Sequence, residues 1–138
     1  MIILDTNVIS ELRRPDHADP AVIRWAADVP VEHLFLSVIT IFEIERGIHL
    51  MQASDPAQAN VFRTWLHSVV YPRFHGRILP IDVATAQRCA ALRISSKSDE
   101  RDAMIAATAL VHGMQVATRN TPDFSPMGVQ LINPWHFN

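Results

Sequence analysis

Met1-Ile2-Ile3-Leu4-Asp5-Thr6-Asn7-Val8-Ile9-Ser10-Glu11 opens the chain, and its reading decides the fold. Apolar residues that stop at an acid, a threonine and an asparagine describe a short buried strand ending at Asp5. Val8 to Arg14 then suits a short helix, which Asp5, Thr6 or Asn7 can cap. A strand that passes so quickly into a helix is the unit of a parallel α/β sheet. Such sheets bind ligands beyond the carboxyl ends of their strands. Asp5 therefore stands at a position suited to chemistry.

Working outward, the pattern repeats. Helices are expected at Ala21–Val29, Ser37–Met51, Pro56–Val70, Val83–Ile94 and Asp102–His112, the last stopped by Gly113. Short strands are expected at His33–Leu36, Arg77–Pro80, Gln115–Thr118 and Val129–Ile132. Val61, Phe62, Trp65, Leu66, Val69 and Val70 form one apolar stripe, read as core or as a dimer face. Arg119 and Asn120 fall just past the fourth strand, as Asp5 falls just past the first.

Size and composition agree with a single domain. The chain has 138 residues, about half of them apolar, enough to build a core without staples. One cysteine, Cys89, leaves no partner for a disulfide and no thiolate cluster for zinc. It reads as a small buried hydrophobe. No apolar run reaches membrane-spanning length and no signal-peptide pattern is present, so a cytoplasmic chain away from membranes is expected. The net charge of −2 excludes a strongly basic nucleic-acid binder. It leaves room for an enzyme that touches a polyanion locally. Eleven of the twelve basic residues are arginines, whose forked guanidinium suits phosphate. Arg13, Arg14, Arg46 and Arg119 are the candidates nearest the expected site. The histidines have no ligand spacing and read as core or surface.

Each candidate acid also has an ordinary explanation. Glu43 fits a capping box with Thr40, although Ser37 is an alternative cap. Asp102 is favoured in a helical first turn by the macrodipole. Asn120 and Asp123, within Thr118-Arg119-Asn120-Thr121-Pro122-Asp123-Phe124, can make a turn. Together they mean more. A parallel sheet gathers such strand ends and helix starts at one rim, where carboxylates repel unless a cation neutralises them. Hard oxygen donors in a partial cage suit Mg²⁺ or Mn²⁺.

Four ordered segments then resemble one known family. Ile2 to Glu11 resembles the start of PIN-domain proteins, most closely the VapC-like toxins of the FitB-like branch. Leu36 to Glu43 through Gly47 resembles that family's second acidic motif. Asp102 to Ala109 with His112-Gly113 resembles the third, and Val116 to Phe124 the fourth. Asn133-Pro134-Trp135 matches the tail of this branch. The resemblance implies a three-layer α/β/α domain over residues 1–138 around a central, mainly parallel sheet. It implies a metal-dependent endoribonuclease, the toxin of a type II toxin–antitoxin pair, with Asp5, Glu43 and Asp102 as metal-binding acids. Asn120 stands where some relatives carry Asp, and Asp123 is the candidate for the missing charge. Asp102 is preferred over Asp99 and Glu100 because Ala103 through Ala109 follow it in register. The implied partners are an RNA substrate, a cognate antitoxin, a second copy of the chain and a larger assembly on DNA. Phe62–Trp65–Val69, Ile41–Ile44–Ile48 and Trp25 are the candidate partner surfaces. The competing reading is a catalytically weak PIN module acting by binding RNA or protein, suggested by Asn120. An aspartyl-phosphate phosphatase is disfavoured, because Asn7 stands where that chemistry uses a second Asp.

Overall fold

The computed structural model describes all 138 residues. In chain order the elements are β1 (Ile2–Leu4), α1 (Thr6–Glu11), α2 (Pro20–Asp28), β2 (Leu34–Ser37), α3 (Val38–Gln52), α4 (Pro56–Trp65), α5 (Tyr71–Arg73), β3 (Ile78–Leu79), α6 (Val83–Ser96), α7 (Glu100–His112), β4 (Gln115–Ala117), α8 (Thr121–Phe124) and β5 (Leu131–Ile132). The five strands form one sheet in the order β3-β2-β1-β4-β5, and every pairing is parallel. All strands therefore end on the same edge. The expectation that Asp5 and Asn120 follow neighbouring strands holds, because β1 pairs with β4 and Leu4 lies opposite Ala117.

Successive strand residues point to opposite faces, and the core divides accordingly. Leu4 and Ala117 face one apolar layer, with Leu34, Leu36, Ile48, Leu66 and Phe74. Ile3 and Val116 face the other, with Leu92, Ile105, Phe124 and Met127. The helix α7 lies in this second layer, and Ala103, Ala106, Ala107 and Ala109 on it are fully buried. Their small side chains let its backbone lie close to the sheet. Gly113 ends it with φ +67°, the left-handed conformation that glycine adopts without strain. The C-terminal tail returns across α2, and the Arg119 guanidinium lies 5.2 Å from the Trp135 ring centre.

Several expectations need correction. The first helix starts two residues earlier than expected, because Asp5 itself is the N-cap and accepts from the Thr6 amide. Ser37 caps α3 by accepting from the Ile39 amide, so the Thr40–Glu43 capping box does not form. In α7, Asp99 is the cap and Asp102 is the third helical residue, not the first. The expected long helix from Pro56 to Val70 runs into a wider π turn at Leu66–Val70. Leu66 and Val70 are buried there, while Val61 and Val69 remain exposed, so the stripe divides. Trp25 is buried in the core, whereas Ile44 and Ile48, also mostly buried, form part of the floor of a surface groove with Phe62 and Trp65.

Leu36 is fully buried at the carboxyl end of β2. Leu36→Ala is expected to destabilise the protein by about 2–5 kcal/mol, through lost transfer energy and a residual cavity. Urea unfolding followed by circular dichroism checks it, and a loss under about 1 kcal/mol would contradict this placement of the core.

Candidate active site

The carboxyl edge of the sheet carries the acids. Asp5 follows β1, is only 5% exposed, and is held by hydrogen bonds on both oxygens. The Thr6 amide donates to Oδ1 at 2.8 Å. The Thr118 hydroxyl donates to Oδ2 at 2.7 Å, and the Asn7 side-chain amide donates to the same oxygen at 3.1 Å. The Asp5 amide in turn donates to Ala117 at 2.9 Å, continuing the strand ladder. A carboxylate this buried is tolerable only with such donors.

Glu43 reaches the same edge from the second turn of α3. The Thr6 hydroxyl donates to its Oε1 at 2.7 Å and lies 3.2 Å from the Thr40 hydroxyl. The Arg101 guanidinium lies 3.7 Å from its Oε2. Asp102, half-buried on α7, lies close enough to Asp5, Asp99, Asp123 and Glu43 to feel their charges. Burial and then those four charges, in that order, push its carboxyl up to about 6. Burial also raises Asp5; the bonds from Thr118, Thr6 and Asn7 oppose the rise, and Glu43 adds to it.

The fourth position is split between two residues. Asn120 is exposed, and its amide donates to the Thr118 hydroxyl at 3.0 Å, while its side chain makes no hydrogen bond. Asp123 is also exposed, on α8, yet its charge is among those acting on Asp102. Asp5, Glu43, Asp102 and Asp123 thus share one electrostatic neighbourhood, and Asn120 sits beside it.

No three of these side chains stand near enough to form a closed cage for an ion. The donor set nonetheless fits a hard divalent cation: it is all oxygen, and neighbouring acids help raise two of its members, Glu43 acting on Asp5 and both of them acting on Asp102. Two supporting residues escaped the reading of the sequence. Arg101 resembles surface charge beside Asp102, and Asn7 resembles one more cap. The available signal was adjacency: each lies within two residues of a site acid.

Comparison with known proteins gives a consistent picture. The PIN domain family model matches residues 2–125. The chain is 40% identical to the VapC ribonuclease Y4jK of Sinorhizobium fredii, covering 98% of both chains. It is 39% identical to toxin FitB of Neisseria gonorrhoeae, covering 99% of both. The solved structure of FitAB bound to an IR36 DNA fragment contains a chain that superposes with a TM-score of 0.89 at 38% identity, covering 100% of this chain and 98% of that one.

The repulsion at Asp102 has a sign that can be measured. Its folded value of about 6 lies above the unfolded value of 3.8, so the folded state binds the proton more tightly. The resulting stability is full below about pH 4 and is lost as pH rises through about 6. In EDTA, Asp102→Asn should lack this loss and exceed the wild type at pH 7 by about 1–2 kcal/mol, after allowance for solvent screening. Thermal unfolding from pH 4 to 8 checks it, and parallel curves would contradict the crowding of charge.

Proposed function

The chain belongs to the PIN-domain family, and we propose that it is a metal-dependent endoribonuclease, the toxin of a toxin–antitoxin pair. The observation that carries this reading is the buried Asp5 carboxylate at the strand end, with Glu43 and Asp102 raising the local negative charge. The names of its relatives, a VapC ribonuclease and a toxin, support the same assignment.

In this reading Asp5, Glu43 and Asp102 hold Mg²⁺ or Mn²⁺, with Asp123 reaching it through water and Asn120 orienting that water. The bound cation supplies polarisation of the phosphoryl oxygens and a water of lowered pKa. Thr118, Thr6 and Asn7 fix the Asp5 oxygens, so the central ligand does not need to reorganise. Thr6 holds one Glu43 oxygen; the other, which Arg101 faces at 3.7 Å, would ligate or accept a proton from the attacking water. Asp102, with a carboxyl near 6, is ionised at neutral pH and ready to ligate. Asp123 provides the charge that Asn120 lacks.

An antitoxin segment suits the groove of about 160 Å³ that runs from Thr6 and Glu43 along Ile44, Ile48, Phe62 and Trp65. Its apolar floor and acidic mouth favour a segment with apolar and basic side chains. Assembly on DNA is supported by a toxin–antitoxin relative solved on a DNA fragment, and pairing with a second copy belongs to the same proposal. No helix is long and apolar enough to cross a membrane.

Purified protein is expected to cleave RNA with Mg²⁺ or Mn²⁺ and to stop in EDTA, leaving 5′-phosphate ends. Asp5→Asn should lower the rate by about 100-fold or more, the scale of lost metal-centred charge stabilisation. Cleavage equal to the Asp5→Asn background, from folded protein that still binds RNA or its antitoxin, would favour the binding module, and Asn120→Asp would then be tested for restored activity.

A further inference from the structure

Beside the acids lies a second recess, of about 470 Å³, within the roughly 300–1,000 Å³ typical of sites for small ligands. One wall is α3, which contributes Ile39, Phe42 and Arg46. These residues recur at three- and four-residue steps and so share a helix face. The other wall is the start of α7, with Arg101, Met104 and the acids Asp99 and Glu100. Phe42 is 53% exposed, a large aromatic ring left in solvent one residue from Glu43.

Arg101 joins this recess to the acids. It lies 3.7 Å from Glu43 and 3.9 Å from Asp99. The chain's other two ion pairs are made by histidines, so Arg101 is the only arginine or lysine paired with a carboxylate. Arg46, four residues after Phe42, makes no ion pair. A groove that offers an exposed ring, an unpaired guanidinium and a floor of Ile39 and Met104 matches what single-stranded nucleic acid requires. Bases stack on aromatic faces, and arginines take the backbone.

We propose that this recess seats the nucleotide next to the scissile phosphate of single-stranded RNA. Its base stacks on Phe42 above Ile39 and Met104. Its phosphate is bound by Arg46, with Arg101 at the boundary between the recess and the acids. Asp99 and Glu100 repel a second phosphate from their side and accept hydrogen bonds from base N–H groups. The inference rests on the nuclease reading, since continuity with the acids is what makes RNA the occupant.

Steady-state cleavage of a labelled single-stranded RNA tests it. Phe42→Ala should raise KM by about ten-fold, as loss of one stacked base does, and Phe42→Trp should restore it. Arg46→Ala should raise KM and flatten its salt dependence, by about 0.7 in log–log slope for one phosphate contact. Wild-type protein that cleaves no RNA would overturn the nuclease reading and this site together. Cleavage with unchanged KM in Phe42→Ala and Arg46→Ala would overturn the subsite alone. Sedimentation and melting accompany each variant. A KM rise that follows a change in oligomeric state, and that Phe42→Trp leaves unrepaired, would assign the recess to a second copy of the chain and overturn the proposal.

Discussion

The hydrogen bond from the Thr118 hydroxyl to the Asp5 carboxylate, 2.7 Å long, joins the ends of two neighbouring strands. The site depends on it. Leu4 pairs with Ala117, so the next residue of each strand stands at the same level beyond the sheet. A carboxylate is thereby buried where the backbone ladder stops and ordered donors begin. A slip of one residue between β1 and β4 would turn every side chain to the opposite face and strip Asp5 of this partner. The register that builds the core is also the register that builds the site.

Much of this was legible in the sequence because it rests on local pattern. The apolar run ending at Asp5, the alanine-rich stretch after Asp102 and the glycine at 113 each carry their own physical signal. Alternation of strands and helices implied a parallel sheet, and the sheet placed Asp5 and Asn120 beyond the ends of neighbouring strands. What stayed hidden depends on distant partners. Ser37 and Thr40 both offer a capping hydroxyl, and the choice follows from where β2 ends. Glu43 then bonds Thr6, 37 residues away, instead of its own helix start. The π turn at Leu66–Val70 likewise answers the packing beneath it, which periodicity does not reveal.

Charge is distributed unevenly in a chain that is nearly neutral overall. Five acids, Asp5, Glu43, Asp99, Asp102 and Asp123, act together at one edge, while a single arginine is paired among them. Such crowding opposes the folded state, since raised carboxyl groups mark repulsion that burial does not relieve. Local strain of this kind, carried by a well-packed scaffold, is common where structure serves reactivity. The alanine-lined contact of α7 with the sheet supplies packing that offsets it.

The sheet order has a temporal consequence. Asp5 leaves the ribosome 113 residues ahead of Thr118, and chains emerge at about 5–20 residues per second. The central strand β1 waits for β2 and then for β4 before both its edges are filled. Until β4 has been made, Asp5 lacks its hydroxyl partner, and Asp102 has no completed sheet to hold it in place. A nascent chain, or one cut short by a premature stop before residue 115, therefore contains four of these five acids but no assembled site. Chemistry at a site built this way begins only once β4 has been made and has paired with β1.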